Sequence, residues 1–559
     1  MRDQAEKIFI ASLDGATFDV LLPLVHQGYM PNLARMLESG PVAELESVVP
    51  PVTAPAWTSF MTGKNPNKHG IFDFTRFDFE HYDWKINNSQ HIRSKTIWQI
   101  LSDHHKQVVV IGLPYTFPTY EVNGAMVAGW DAPSKSSFTY PEDLSREILT
   151  IFPDYGSSSD LSLWNHLSAD SEADFDNFID KLIRSFEETA TLASQFLKTK
   201  KWDVFMVHFQ QTDWIQHKLW GYIERACRDT QDHHWRLEQV RKCYQAFDRY
   251  VGKLLAEVSP LSPLRIVLSD HGFGSNRGTI YPNHVLRKLG YYHLKAQADG
   301  PLKKYLKHSD SQTVRTLYRT LKGVRNNMQA RQVVKQYKNW ADMIQDSVPG
   351  EKSSVDWHRT KAAFVGGSEA GFIFINVKGR GPYGCVEPGS EYEDIVSRIF
   401  TEFRGLANSE TGQPLLTRVA RGSEVYSDEE NGVLLPDIVL VPQEGYVVGA
   451  GLSDSFLASD GERGDHRHNG VLLLESDELK RKIPTLNPHL IDLAPTILHA
   501  LDLPVPTDMD GRVLEEIFEH PRTVQFQEID NSTSHAARDY DQNESEIIEQ
   551  RLRGLGYVE

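Results

Sequence analysis

Ile266-Val267-Leu268-Ser269-Asp270-His271-Gly272-Phe273-Gly274 is a short apolar run that stops at an acid, a histidine and a glycine. Such a run, bounded by turn residues, is the pattern of a strand buried on both faces. An adjacent Asp and His can reach one metal ion when the chain turns directly after the strand. The pattern recurs outward from here. Ile8–Leu13 ends in Asp14-Gly15, and Val204–Phe209 leads into Gln210-Gln211-Thr212-Asp213. Further runs of this kind are Val108–Leu113, Arg265–Ser269 (the strand of the opening stretch), Phe372–Ile375, Ile438–Val441 and Val471–Leu474. Helix-like segments separate them: Met30–Glu38, Thr96–Asp103, Glu172–Lys198 and Gln239–Val258. This alternation implies an α/β fold, a mostly parallel sheet sandwiched by helices. Ligands bind such sheets at the carboxyl ends of the strands. Functional side chains are therefore expected directly after strands.

The chain has 559 residues, of which 40% are hydrophobic and 24% charged, which is an ordinary globular composition with ample chain for a core. That length suggests more than one domain, although large α/β enzymes exceed the usual size. The formal net charge of −17 argues against a surface that grips a nucleic-acid duplex. An anionic substrate stays admissible, because bound divalent cations reverse the local field. The three cysteines, Cys227, Cys243 and Cys385, show no CxxC spacing, so neither a disulfide framework nor a thiolate zinc site is expected. The first residues lack the long apolar stretch of a signal peptide. No apolar run approaches the ~18 residues of a membrane span. The expectation is a cytoplasmic protein.

Composition divides the chain into a catalytic body over 1–300 and 355–520, a helical basic insertion or cap over 301–354, and a polar linker with a C-terminal helix over 521–559. From Lys303 to Lys338 the insertion carries ten Lys or Arg against one acid, Asp310, with Val314, Leu317, Tyr318 and Leu321 at helical spacing. Two readings are open: a solvated basic face balancing an acidic body, or a lid that recruits an anionic substrate or partner. The linker reads from Asp530-Asn531-Ser532-Thr533-Ser534, and Ile547, Ile548, Leu552 and Leu555 mark the helix after it. That helix could dock on the body or on a second subunit, which leaves a homo-oligomer open.

Each strand end has a functional and a structural reading. Asp14 is placed for a metal, but Asp-Gly is also a common turn. In Pro50-Pro51-Val52-Thr53-Ala54-Pro55-Ala56-Trp57, a helix is expected to start near Pro55, after a strand-like stretch from Ala43 to Val49. Thr53 would then lie at the helix N-terminus, where N–H groups and the dipole favour an anion. Its hydroxyl could attack phosphorus if its pKa were lowered; the alternative is that Thr53 or Thr58 merely caps the helix. Asp213 and His217, four residues apart, would share one helix face and one cation, or form a surface ion pair. Gly464-Asp465-His466-Arg467-His468 could supply one more histidine or be a polar loop. Asp103-His104-His105 and Asp232-His233-His234 resemble the signature of the DHH phosphoesterases, but no strand leads into either, so both are read as solvated helix ends.

Taken in order, these pieces resemble the type I phosphodiesterase and nucleotide pyrophosphatase branch of the alkaline phosphatase superfamily. Leu13-Asp14-Gly15-Ala16-Thr17 with Met30-Pro31-Asn32-Leu33-Ala34 resembles its opening. Thr53-Ala54-Pro55-Ala56-Trp57 to Thr62-Gly63, then His69-Gly70-Ile71, resembles its nucleophile segment. Thr212-Asp213 with Gln216-His217, Ser269 to Gly274, and Gly464-Asp465-His466-Arg467 resemble its metal motifs. Asp492 to Leu498 and Asp508-Met509-Asp510-Gly511-Arg512 resemble its closing signature.

The resemblance implies an alkaline phosphatase-like fold and two divalent metal ions, zinc on the weight of three imidazoles, with manganese as the alternative. Asp14, Thr53, Asp270 and His271 would hold one ion; Asp213, His217 and His466 would hold the other, with His468 as the substitute for His466. Two divalent cations outweigh three carboxylates, so the site would suit an anionic phosphate ester of small size. The Thr53 hydroxyl, its pKa lowered by one cation, would attack phosphorus in line, and water would hydrolyse the phosphothreonine from the leaving-group side. The implied activity is that of a metal-dependent phosphohydrolase acting on a phosphodiester or pyrophosphate.

The resemblance breaks at one step. Nucleotide pyrophosphatases of this branch usually carry an asparagine shortly after His-Gly-Ile, whereas His69-Gly70-Ile71-Phe72-Asp73-Phe74 has phenylalanine there. Other readings of the same fold compete. A sulfatase would need a Cys or Ser nucleophile before Pro-x-Arg, where Thr53 and Trp57 stand. A phosphomonoesterase or phosphotransferase would need one more cationic group, from Arg467 or from a lysine of the insertion. A non-catalytic binding protein would have no reason to keep all seven candidate positions.

Overall fold

The computed structural model describes residues 7–133, 138–153, 155, 171–295, 355–366, 370–426, 433–453, 455–459, 463–481, 483, 485–531 and 538–555. The insertion expected over 301–354 lies outside the described residues, as do Ser532, Thr533 and Ser534 of the linker.

The apolar runs at Ile8, Val108 and Val204 form strands with the expected bounds, and they are central. Eight strands make the main sheet: β1 (Ile8–Leu13), β2 (Val42–Glu46), β3 (Val108–Leu113), β4 (Gly124–Ala128), β5 (Thr139–Tyr140), β6 (Val204–Phe209), β7 (Leu264–Leu268) and β8 (Asn469–Glu475). Their order is β2-β8-β7-β1-β6-β3-β4-β5. β7, β1, β6, β3 and β4 are mutually parallel. β8 pairs antiparallel with both β7 and β2, so β2 runs in the direction of the parallel set. β5 closes the other edge antiparallel to β4. Every residue of β1 and β6 is buried, as expected of strands with helices on both faces. Fully burying each Val, Leu, Ile or Phe of this kind stabilises the fold by about 1.5–3 kcal/mol.

The flanking helices start where their caps allow. Ser171 accepts from the Asp174 N–H and opens Glu172–Thr199, which buries Phe175, Leu182 and Phe196. Thr96 and Gln99 form a capping box that opens Ile97–Asp103. The helix expected from Gln239 begins earlier, at Trp235.

Two expected strands of the parallel sheet lie elsewhere. Phe372–Ile375 and Ile438–Val441 fall in Gly371–Ile375 and Ile438–Pro442, which belong to a separate antiparallel sheet with Ala362–Val365 and Leu416–Arg421. The helix Ser390–Arg404 covers that sheet with Ile395, Val396, Ile399 and Phe403, and the two share their own core. A buried apolar run has no period that separates parallel from antiparallel pairing, so sequence pattern alone could not sort them.

The C-terminal helix, Gln542–Leu555, docks on the body of its own chain. Ile548 and Leu552 are buried. Arg551 donates to the carbonyls of Trp130 and Ala132 at 2.5 and 2.7 Å, and Lys218 Nζ reaches the Gly554 carbonyl at 3.0 Å. No helix among the described residues is long and apolar enough to cross a membrane.

Candidate active site

The carboxyl ends of β2, β7, β1 and β6 lie at one edge of the sheet, and each leads into candidate residues. Register places Ser12 opposite both His208 and Leu268, so Asp14, Asp213 and Asp270 follow at nearly the same level. The Asp14-Gly15 turn is tied down from three sides. The Asp14 N–H donates to the Phe209 carbonyl at 3.1 Å. Thr212 Oγ1 donates to the Asp14 carbonyl at 2.6 Å, and Gln216 Nε2 to the Gly15 carbonyl at 2.8 Å. Gly15 has φ +64°, which favours glycine, and a Cβ there would sit tightly, 3.2 Å from the His271 ring.

Thr53 is the first residue of the helix Thr53–Thr62, which starts two residues before the expected Pro55. Val52 occupies the N-cap position with no side-chain cap, and Thr58 Oγ1 donates to the Ala54 carbonyl at 2.7 Å. Neither threonine caps the helix, and Thr53 is fully buried with its hydroxyl at the first candidate cluster.

That cluster comprises Asp14, Asp270 and His271. Thr53 Oγ1 lies 3.4 Å from Asp14 Oδ1 and 3.5 Å from His271 Nε2. His271 Nε2 lies 3.5 Å from Asp14 Oδ1 and 3.4 Å from Asp270 Oδ2. His271 Nδ1 faces the Gly272 carbonyl at 2.9 Å, which assigns the ring proton to Nδ1 and leaves Nε2 as a bare lone pair. A lone pair aimed at two carboxylates is repulsive unless a cation lies among them.

The second cluster comprises Asp213, His217 and His466. His217 Nε2 and His466 Nε2 are 3.0 Å apart, and Asp213 Oδ1 is 3.2 Å from the first and 3.5 Å from the second. Asp213 and His217 share a face of the helix Gln211–Arg228, but Asp213 is fully buried and His217 largely so, which is no surface ion pair. His466 arrives from the strand Arg463–Arg467, where it pairs with Phe273 across an antiparallel ribbon. The His271 and His466 rings stack with centroids 3.9 Å apart, so the clusters adjoin.

The electrostatics fit cations. Burial drives the Asp14 carboxyl well above its usual range, and the charges of Asp270 and Asp213 add to this. Burial does the same to Asp270. Burial, then the neighbouring His466, holds His271 well below the usual imidazole range, which keeps the ring neutral. Burial acts to raise Asp213, but His217 and His466 outweigh it and hold that carboxyl low. For His217, burial acts to lower the value and Asp213 more than reverses it. Ligands around one tetrahedral ion at Zn–N and Zn–O distances sit about 3.3 Å apart. The separations in both clusters match that spacing, and carboxylates with imidazoles suit zinc or manganese.

The other sequence candidates go elsewhere. His468 faces Glu46 at 3.5 Å on the edge of the sheet, with His489 on the same carboxylate at 3.3 Å, so of the two histidines His466 is the one at the cluster. Asp103 pairs with Lys95, Asp232 with Arg225 and His233 with Glu238, all exposed helix-end contacts. A third acid-and-histidine group, Asp78, Glu80 and His81, lies on an outer hairpin, and Lys85 already pairs with Asp78 at 2.9 Å.

Two residues next to the clusters escaped the sequence reading. The indole N–H of Trp57 donates to Asp14 Oδ2 at 2.8 Å. His208 accepts from Ser12 at Nδ1 and meets Gln210 Oε1 at Nε2, both at 3.0 Å. Trp57 stands one helical turn after Thr53, and His208 is the one polar residue in β6.

Phe74, at the step where asparagine is usual, is turned into the core against Tyr115 and Trp130. Arg467 donates to the carbonyls of His466 and Ser275 and so clamps the ribbon that carries His466.

Comparison with known proteins bears on the whole arrangement. Among solved structures, phosphonoacetate hydrolase from Sinorhizobium meliloti 1021, in complex with phosphonoformate, is similar over 88% of this chain and 95% of that chain, at 16% identity and a TM-score of 0.49. Human ectonucleotide pyrophosphatase / phosphodiesterase 5 is similar over 92% of this chain and 100% of that chain, at 12% identity and a TM-score of 0.47. Compared by sequence with curated proteins, the chain matches none. The family model for type I phosphodiesterase / nucleotide pyrophosphatase matches residues 9–471, from β1 into β8 and across both clusters. The chain therefore belongs to the type I phosphodiesterase / nucleotide pyrophosphatase family.

Proposed function

We propose that this protein is a two-metal phosphohydrolase that cleaves a phosphodiester or pyrophosphate bond through a phosphothreonine on Thr53. The observation that carries the reading is the place of the Thr53 hydroxyl, at an uncapped helix N-terminus and within 3.5 Å of ligand atoms of the first cluster. Membership of a phosphoester-hydrolase family supports the reaction class. Asp14, Thr53, Asp270 and His271 would hold one divalent cation and Asp213, His217 and His466 the other, zinc or manganese by donor type. Bound there, such ions lower the pKa of a hydroxyl and neutralise charge on a leaving oxygen. Thr53 Oγ1, its proton released to water, attacks phosphorus in line as the bond from phosphorus to the leaving oxygen breaks. The N-terminal end of its helix favours the negative charge gathering on the phosphoryl oxygens. Water entering from the leaving-group side then hydrolyses the phosphothreonine.

Two observations narrow the substrate, the first favouring a diester over a monoester. A monoester has one more anionic oxygen to neutralise, and the guanidinium of Arg467 is engaged with two main-chain carbonyls. The buried Phe74 offers no polar group to a phosphate oxygen, which supports a substrate other than a nucleotide.

The test is a pair of initial rates, on an aryl phosphodiester and on the matching aryl phosphomonoester. Purified protein would be stripped of metal and reloaded with zinc or manganese. Metal-dependent preference for the diester is the expected result. A monoester preference would transfer the assignment to a phosphatase or phosphotransferase, and activity that survives complete metal removal would overturn the two-metal reading.

A further inference from the structure

Asp14 uses its two carboxylate oxygens differently. Oδ1 faces Thr53 Oγ1 at 3.4 Å and His271 Nε2 at 3.5 Å. Oδ2 turns away from both and accepts the Trp57 indole N–H at 2.8 Å, with His208 Nε2 more distant at 3.5 Å. The indole is fully buried and cannot swing aside. Its ring lies edge-on to Phe60, at 5.6 Å and 86°, and edge-on to His208, at 5.0 Å and 83°. His208 is itself held at both ring nitrogens, by Ser12 and Gln210. Trp57 also belongs to the helix that starts at Thr53, one turn further on. One rigid element thus carries both the hydroxyl and the donor that orients the carboxylate opposite it.

We propose that Trp57 is a positioning residue: its indole N–H fixes Oδ2 of Asp14, so that Oδ1 stays directed at Thr53 and at the cation of the first cluster. The inference rests on the reading of Asp14 as a metal ligand. A carboxylate held at one oxygen keeps a single orientation; released, it can rotate about its Cβ–Cγ bond and present either oxygen. Outer hydrogen bonds of this kind typically change metal affinity or turnover by about 10–100-fold when lost. The indole N–H is spent on Asp14 of the first cluster, so the affinity of the second is expected to stand.

Two variants of the full chain separate orientation from packing. Trp57→Phe keeps an aromatic ring and removes the N–H. Site-specific replacement of Trp57 by its benzothiophene analogue keeps the two-ring shape and removes only the donor, and it decides the matter if Trp57→Phe unfolds. Zinc affinity would be measured by competition with a chromogenic chelator, and kcat and KM on the aryl diester would be measured separately. The expected result is one zinc site weakened about 10–100-fold and the other unchanged. It includes a fall in kcat with little change in KM, and an unchanged thermal midpoint in chelator for the benzothiophene variant. Two zinc sites of wild-type affinity with wild-type kcat in that variant would overturn the proposal and leave Trp57 a packing residue, while the two-metal reading stood. Failure of the unsubstituted protein to bind zinc or manganese at all would remove the two-metal reading, and this proposal with it.

Discussion

Replacing Thr53 by alanine should separate rate from stability. The substitution removes one hydroxyl and one methyl from a fully buried position. The hydroxyl's contacts with Asp14 and His271 are long, 3.4 and 3.5 Å, so little hydrogen-bond energy is lost with those two. The methyl contributes about 0.8 kcal/mol, and with the small cavity left behind the stability cost is about 1–2 kcal/mol. The effect on turnover is of another order. Without Oγ1 the attacking atom is gone, and a loss of about a hundredfold or more is expected, at least about 2.7 kcal/mol of barrier. Thr53→Ser keeps the oxygen at the same helix position and should stay within roughly tenfold of the parent. The assay is the initial rate on an aryl phosphodiester at matched metal content, with a thermal melt of each variant. Acid quench during turnover, followed by mass analysis of the peptide containing Thr53, should find phosphate on it in the parent and in Thr53→Ser. Thr53→Ala turning over within about threefold of the parent, at equal metal content, would refute the nucleophile assignment.

Asp213→Asn and His217→Ala should each lower bound zinc by about one ion per chain, read by elemental analysis after dialysis, because each leaves a cluster short of a ligand. Phe74→Asn should destabilise the fold by about 3–5 kcal/mol, seen as a lower thermal midpoint, since it removes an aromatic ring packed on Tyr115 and Trp130 and buries an amide in its place. Burial raises the Asp131 carboxyl from 3.8 to about 7. A raised folded-state value means that its stability contribution is intact below about pH 3.8 and is lost as pH climbs towards 7. Asp131→Asn cannot ionise, so it should become more stable relative to the parent across that window, by a few kcal/mol at about pH 7.5 and by little at about pH 4, measured by chemical denaturation.

Much of the site could be read in advance because a parallel sheet gathers strand ends. Asp14 and Asp213 follow strands that are buried throughout and Asp270-His271 one buried but for Arg265, and the alignment of β7, β1 and β6 brings them together without any local motif having to be strong. Thr53 joins by the same rule, since β2 runs with the parallel set even though its neighbour in the sheet, β8, is antiparallel to it. The second sheet was hidden for a converse reason. Gly371–Ile375 and Ile438–Pro442 are as apolar as β3, and no side-chain period reveals which neighbour they will take. Trp57 was hidden because a tryptophan in an apolar helix is normally core. Its polar atom matters only through Asp14, 43 residues earlier, and only the folded chain brings them together.

His466 shows where the strand-end rule needs its complement. It precedes a strand rather than following one, and a search confined to residues after strands would pass over it. β8 runs antiparallel to β7, so its amino end, not its carboxyl end, lies at the edge where Asp270 and His271 emerge. The choice between His466 and His468 then depends on where the chain changes sheets. Up to Arg467 it pairs with Gly272–Asn276, which keeps His466 opposite Phe273 and beside His217. From Asn469 it pairs with β2, and His468, at the junction, turns towards Glu46 instead. Nothing in Asp465-His466-Arg467-His468 marks that junction. It is set by Gly272, which lies so close to the Asn469 carbonyl that a Cβ would sit 2.1 Å from it, and by Arg467, which ties the ribbon to Ser275. Which histidine completes the second cluster is therefore a property of the crossing between two sheets, and a side chain at residue 272 should disturb that cluster through Asn469 and Arg467, the chain neighbours of His468 and His466.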